Sequence, residues 1–538
     1  MKAKLVFLGC LMAVVAFGQA PSRVWSPDDG RGGYSNPVLY ADYSDPDVCA
    51  VGEDYYLTAS SFNCIPGLPI LHSKDLVNWE IVGHALRELE PREVFDHPAH
   101  GQGVWAPSIR YHEGEFRIYW GDPDRGIFMV KTKDVAGEWE RPVCVVAGKG
   151  MIDPCPLWDD DGRCYLVNAW AASRAGFNSV LTVRELSADG SRATGLPRIV
   201  FDGGQENHTA EGPKFYKREG WYWIMCPAGG VTSGWQLAMR SKSPYGPYEW
   251  KRVMQQGRTD INGPHQGGWV HTVWGEDWFL HFNDKGAYGR VVCLQPVDWT
   301  SGWPVMGNSG EPCARYRKPK SSSTARFNPT ESDEFAGGTL GLQWQWHANY
   351  DQTFGMPTAE GTMRLYTHDL SDGQVNLWEA PNLLLQKPTA PRFTATARVR
   401  FAAKEEGQQG GLIMMGRDYA ALVIERRAEG FVLQRHTCLG ADEGNTEQVT
   451  AIATLEPSAR DTIPYSPATY IDLFLRLTVK DGRCTFAYSR DGKRFHQAGE
   501  TFQMKEGKWI GAKYGFMAEQ RQRRGNRGWL DIDWIRIE

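Results

Sequence analysis

Five times in the first part of the chain a proline opens a short apolar segment, and a turn and an aromatic-rich segment follow it. The openings are Asp45-Pro46-Asp47, Ala106-Pro107-Ser108, Asp153-Pro154-Cys155, Gly212-Pro213-Lys214 and Gly263-Pro264-His265. The segments after the turns are Asp54-Tyr55-Tyr56-Leu57, Glu115-Phe116-Arg117-Ile118, Cys164-Tyr165-Leu166-Val167, Gly220-Trp221-Tyr222-Trp223 and Asp277-Trp278-Phe279-Leu280. Aliphatic and aromatic runs bounded by Gly, Asp and Pro read as short strands. A unit that returns roughly every 45–60 residues restricts the chain to a radial or stacked repeat, and strands at this period read as the blades of a propeller. Third strands follow in Pro69-Ile70-Leu71-His72-Ser73, Gly126-Ile127-Phe128-Met129-Val130-Lys131 and Gln236-Leu237-Ala238-Met239-Arg240-Ser241. The expectation is a five-bladed β-propeller over residues 34–310, with three or four strands per blade. Asn36-Pro37-Val38-Leu39 is expected to supply a first strand and help close the ring.

A chain of 538 residues is too long for one ordinary core. Residues 311–332 change character. Arg315, Arg317, Lys318 and Lys320 precede Ser321-Ser322-Ser323-Thr324, which reads as a linker. Beyond it the alternation is cleaner. In Phe393 to Phe401 the odd positions are apolar and the even ones polar, and Leu473, Leu475, Leu477 and Val479 alternate in the same way. Strands with one buried and one wetter face predict an antiparallel β-sandwich of jelly-roll type over 333–538, and so an all-β protein.

The N-terminus carries Lys2 and Lys4, an apolar run from Leu5 to Phe17, and Gly18-Gln19-Ala20. This reads as a secretory signal over residues 1–20, implying a periplasmic or extracellular protein. No other run is long and apolar enough for a membrane helix. The net charge is −5 and no basic run marks a nucleic-acid partner. Ten cysteines follow Cys10 with no paired metal spacing, and they read as buried thiols.

Asp45, Asp153 and Glu211 stand near the same point of three separate repeat units, and in a radial fold such points converge on the axis. Asp-Pro also opens ordinary turns, because Asp bonds nearby backbone and Pro fixes φ. Three acidic groups in one central pocket would supply what glycoside hydrolysis needs. One carboxylic acid protonates the leaving oxygen and a second carboxylate activates water or attacks the sugar, with their pKa values tuned apart.

The residues carry a resemblance as well. Asn36-Pro37-Val38-Leu39, Ser44-Asp45-Pro46-Asp47, Ser60-Ser61-Phe62, Pro66-Gly67 and His72-Ser73-Lys74-Asp75-Leu76-Val77-Asn78-Trp79 resemble glycoside hydrolase family 43. Gly103-Val104-Trp105-Ala106-Pro107, Ile152-Asp153-Pro154 and Glu211-Gly212-Pro213 continue that resemblance in order. The region from 333 onward is similar to the concanavalin-like sandwich of the family's β-xylosidase branch. The resemblance implies an inverting mechanism, with Asp45 as general base, Glu211 as general acid and Asp153 orienting the acid and keeping its pKa high. It implies Arg290 on sugar hydroxyls and Phe62 and Trp105 as pocket walls. It also implies His265 beside a central Ca²⁺, and Asp333 and Asp533 near a structural calcium. No organic cofactor is implied. Cys64, where relatives carry bulky aromatics, implies a wider pocket that would admit α-L-arabinofuranosyl as well as β-D-xylosyl groups. The expected substrate is a terminal pentosyl residue on a hemicellulose oligosaccharide, because the appended sandwich would close the groove into a pocket. An endo-arabinanase and a non-catalytic sugar-binding propeller are the alternatives. The oligomeric state is left open.

Overall fold

The computed structural model describes residues 22–370, 373–460, 468–520 and 526–538. The secretory signal read in residues 1–20 lies outside the described residues. The five proline-opened repeats become five antiparallel four-stranded sheets. The first blade comprises Asp47–Val51, Asp54–Thr58, Gly67–Ser73 and Glu80–Leu86. The second comprises Trp105–His112, Glu115–Asp122, Gly126–Thr132 and Val143–Ala147. The third comprises Met151–Trp158, Cys164–Trp170, Val180–Leu186 and Arg198–Asp202. The fourth comprises Lys214–Arg218, Trp221–Ala228, Trp235–Ser241 and Glu249–Gln255. The fifth comprises His265–His271, Asp277–Asp284, Arg290–Asp298 and Val305–Met306. The first strand of each blade faces the axis, and inner strands of neighbouring blades touch around the ring.

Blade packing explains the aromatic load. Tyr55, Leu57, Trp79, Trp278 and Leu280 form one cluster between the first and fifth blades. Phe215, Tyr222, Ile224, Val167 and Tyr165 form another between the third and fourth. Charged groups tie the inner strands. Arg110 of the second blade pairs with Asp47 of the first at 2.6 Å, and the wholly buried Lys214 donates to Pro107 O and Ser108 Oγ, each at 3.0 Å.

The ring closes differently from the sequence expectation. Asn36–Leu39 does not add a strand to the first blade. Leu39 instead bridges Val292 in the fifth blade, and the Asn36 side chain bonds both backbone groups of Leu294. Just ahead of it, Gly33–Ser35 pairs with Arg315–Arg317, so the basic segment after the fifth blade is strapped back onto the propeller.

The second unit is a sandwich of an eight-stranded and a nine-stranded sheet. The alternation seen in the sequence is realised in Arg392–Ala403 and Thr469–Lys480, where Phe393, Val399, Phe401, Leu473, Leu475 and Leu477 point into the core. Their outward partners are exposed or half-buried, which is how one sheet face stays wet. The sandwich docks closely on the propeller. Ile65 and Trp346 form a backbone bridge, Gly511 N donates to Asp42 Oδ2 at 2.9 Å, and Ala512 N donates to Ala287 O at 2.7 Å. Apart from two four-residue α-helices the described residues hold only strands, loops and 3₁₀ turns, and none of their helices could cross a membrane. The ten described cysteines are free thiols, and only Cys144 is exposed.

Candidate active site

The recurring Xaa-Pro openings have a backbone consequence that the sequence alone did not reveal. The residue before each proline adopts positive φ: Asp45 at 54°, Ala106 at 30°, Asp153 at 56°, Gly212 at 58° and Gly263 at 38°. Left-handed backbone is uncommon for residues other than Gly, with Asn and Asp the best tolerated. Such strain persists only where the surrounding fold imposes it, and it collects at functional sites. The first and third blades place Asp in this slot. The fourth places Gly212 there, and Glu211 stands one residue earlier on a longer side chain. A Cβ on Gly212 would also lie 2.4 Å from Gln266 Cγ, so both φ and space call for glycine.

These turns bring Asp45, Asp153 and Glu211 to the wall of one cavity of about 280 Å³ at the end of the axis. Asp45 is nearly buried and cradled by three donors. Ser44 Oγ and Ser60 Oγ donate to its Oδ2 at 2.8 and 2.6 Å, and Arg290 Nη1 donates to Oδ1 at 3.0 Å. Ser60 Oγ also accepts the N–H of Ala106 at 2.8 Å, tying the cradle to the second blade. Arg290 donates from the same Nη1 to Ser44 Oγ at 2.7 Å, and its guanidinium lies 4.8 Å over the Phe282 ring. Its position is held from behind, where Asp42 Oδ1 accepts its backbone N–H at 2.8 Å. Both the predicted base and the predicted sugar-binding arginine therefore reach the cavity, and they are bonded to each other.

Asp153 and Glu211 behave as a coupled pair. Burial pushes the Glu211 carboxyl well above the usual range, and the charges of Asp153 and Asp45 push it further against the opposing effect of Arg290. Burial raises Asp153 too, with Asp45 adding and Gly212, Lys214 and Arg290 opposing. Two carboxyls this strongly linked titrate as a unit, and one proton is retained near neutrality. Hydrogen bonding decides where it sits. Asp153 Oδ2 accepts the Gly212 N–H at 2.7 Å and the Gln266 amide at 3.4 Å, and donors of this kind favour the ionised form. Glu211 has no such donor within bonding range among the described residues: His265 Nε2 stands 3.6 Å from its Oε1. The proton therefore belongs on Glu211, whose side chain keeps 26% of its surface open to the cavity.

Phe62 and Trp105 both line the cavity, with ring centroids 6.2 Å apart and edge to face. Cys64 does not. It is buried and does not line the cavity. The residue that closes this side is Trp509, which comes from the sandwich and packs edge to face on Trp105 at 6.3 Å. Sequence reasoning missed Trp509, because nothing in its neighbourhood signals a site built by residues far earlier in the chain. It also missed Gln266, a wall residue only 5% exposed at φ 30°, whose Oε1 has no hydrogen-bond partner. The signal for Gln266 was available, since it directly follows the fifth proline opening. Ser44 and Ser60 stood within the recognised runs without a role.

His265 lies behind Glu211, fully buried, with neither ring nitrogen hydrogen-bonded. Burial, with Arg290 adding, holds its pKa down at about 3, so the ring is neutral. Calcium takes six to eight oxygens, and among the described residues no three His, Cys, Asp or Glu side chains gather as donors, so an ion beside His265 would draw most of its ligands from water. Asp333 and Asp533 are already engaged. Asp333 spends both oxygens on Phe335 N, Gly341 N and Trp344 Nε1, and Asp533 pairs with Arg398 at 2.8 Å on the outer face.

Comparison with known proteins gives a consistent picture. The family model described as "Glycosyl hydrolases family 43" matches residues 34–304, and that described as "Beta xylosidase C-terminal Concanavalin A-like domain" matches residues 332–538. A β-xylosidase of Formosa agariphila is 29% identical over 571 residues, covering 96% of this chain and 92% of the relative. The non-reducing end α-L-arabinofuranosidase BoGH43B of Bacteroides ovatus is 31% identical over 458 residues, covering 80% of this chain and 81% of the relative. The crystal structure of the BlXynB protein from Bacillus licheniformis superposes with a TM-score of 0.79 at 26% identity, covering 94% of this chain and 99% of that one.

Proposed function

The chain belongs to glycoside hydrolase family 43 and is a glycoside hydrolase acting on hemicellulose, and from that premise we propose that it is an exo-acting, inverting pentosidase. It would remove terminal α-L-arabinofuranosyl or β-D-xylosyl residues from hemicellulose oligosaccharides. The observation that carries the proposal is the cavity itself. Three carboxylates from three blades share it, and the sandwich supplies Trp509 to its rim. Its volume of about 280 Å³ lies just under the usual range for small-molecule pockets, which suits one or two sugar rings rather than a running chain. The names of the relatives favour the pentose class on both its xyloside and its arabinofuranoside side.

In this mechanism Glu211 donates its proton to the glycosidic oxygen as the bond to the anomeric carbon breaks. Asp45 takes a proton from a water that attacks the opposite face, so the configuration inverts and Glu211 is left ionised until it is reprotonated from solvent. Ser44, Ser60 and Arg290 hold Asp45 as a proton acceptor in one orientation. Asp153, kept charged by Gly212 and Gln266, raises the proton affinity of Glu211 and returns it to the acid state. Phe62 and Trp105 offer apolar ring faces to the pentose.

Proton NMR of the first-formed sugar tests the stereochemistry, and retention of configuration would overturn it. Comparing kcat/KM on 4-nitrophenyl α-L-arabinofuranoside and β-D-xyloside ranks the two substrates. We place the enzyme in the periplasm or outside the cell; a mature N-terminus at Pro21 would support this.

A further inference from the structure

Behind the Asp45 segment, at the seam of propeller and sandwich, lies a second and much smaller cavity of about 20 Å³, enough for one water-sized guest. Tyr43 and His84 reach it from the first blade side, Gln345, Gln386 and Lys387 from the sandwich, and Thr330 from the connecting segment. Its chemistry is one-sided. The Lys387 ammonium sits 4.3 Å over the Tyr43 ring and makes no ion pair among the described residues. Lys513, a second buried cation, donates to Gln345 Oε1 at 2.7 Å, an uncharged partner. Asp42 is the one carboxylate whose charge acts on Lys387, against the like charge of Lys513, and its two oxygens also accept the N–H groups of Arg290 and Gly511. Gln386 is 1% exposed and neither of its amide atoms has a partner. Burial, with Lys387 and Lys513 adding, leaves His84 neutral, so it contributes no further charge.

Two buried ammoniums facing one carboxylate leave a positive charge unbalanced, which is costly, and water can satisfy hydrogen bonds without balancing that charge. We propose that the seam cavity binds a monatomic anion of the halide class, held by the Lys387 ammonium and the Gln386 amide. The anion would clamp the sandwich to the propeller one residue from Ser44-Asp45. The size excludes phosphate, sulfate and carboxylates. Burial and Lys513 push the Lys387 pKa down to about 8, against the opposing charge of Asp42.

The test uses the full-length enzyme. Bromide-soaked crystals should show an anomalous peak in the seam cavity within bonding distance of Lys387. The melting temperature should rise saturably by about 2 °C on replacing gluconate by chloride at constant ionic strength. Lys387→Met, which keeps the volume and removes the charge, should lose that chloride-specific rise. A water without anomalous signal at this position, or an equal chloride response in Lys387→Met, overturns the proposal. Should that variant fail to fold, the bromide data on the wild-type enzyme decide alone. Neither readout involves turnover, so the outcome is independent of the hydrolase mechanism.

Discussion

Replacing Glu211 by Gln probes the site through two opposed effects. The amide keeps the shape but cannot protonate a leaving oxygen, and loss of a general acid costs about 10²–10⁴-fold, or roughly 3–5 kcal/mol of barrier. The loss should be full on xylo- or arabino-oligosaccharides. It should be much smaller on a 2,4-dinitrophenyl glycoside, whose leaving group departs without a proton. Stability should move the other way. The Glu211 pKa is raised in the folded protein by burial and by two neighbouring carboxylates. Below its unfolded value of about 4.5 the group is protonated in both states and costs nothing. As pH rises through the window above that value, the unfolded chain releases a proton that the folded protein retains, so stability falls with pH. Each unit of upward shift is worth about 1.4 kcal/mol. With the carboxyl facing an open cavity, we expect Glu211→Gln to stabilise the protein by about 1–3 kcal/mol at pH 8 and not at pH 4. Calorimetry should record a melting temperature a few degrees higher at pH 8 only, and the wild-type rate should fall on the alkaline side as the acid ionises. A variant that keeps over a tenth of the oligosaccharide activity, or melts lower than wild type at pH 8, would refute the reasoning.

Ser60→Ala removes a donor to Asp45 and strands the buried Ala106 N–H, so we expect a loss of about 1–3 kcal/mol in denaturant melts and a roughly tenfold lower kcat. Unchanged values would remove Ser60 from the cradle. Arg290→Lys cannot bond Ser44 and Asp45 together while stacking on Phe282, and kcat/KM should fall about 10–100-fold; a near-normal value would show that the fork geometry is unimportant. Trp509→Ala takes away an aromatic wall worth about 1.5–3 kcal/mol, mostly as a higher KM, and equal kinetics would take the sandwich out of the pocket. Dialysis against EDTA should lower the melting temperature or kcat/KM, restored by calcium, where a water-ligated ion sits beside His265; unchanged values would remove that ion.

The blades were legible because their information is local. Xaa-Pro, a turn and an aromatic strand recur at short range, and strand patterning depends only on neighbours along the chain. The same locality exposed Asp45, Asp153 and Glu211, each pinned to a proline opening. It could not show that the five residues before those prolines share a positive φ, which the packing of inner strands around an axis imposes. Asn36–Leu39 looked like a blade strand by composition and was claimed by the fifth blade instead, because ring closure joins segments some 250 residues apart. Cys64 looked like a pocket residue from its place after Phe62, yet it is buried and lines no part of the cavity.

By itself the amino-acid sequence determined the repeat, the division into propeller and sandwich, and which three acids could do chemistry. Periodicity and turn chemistry are written within a few residues and survive without knowledge of distant partners. Only the tertiary structure decided that Gly212 and Gln266 favour leaving the proton on Glu211, that Arg290 and two serines grip Asp45, and that a tryptophan from the second unit closes the cavity. Proton affinity and enclosure depend on burial and on charges brought together through space, and chain order does not encode those until the two units are docked.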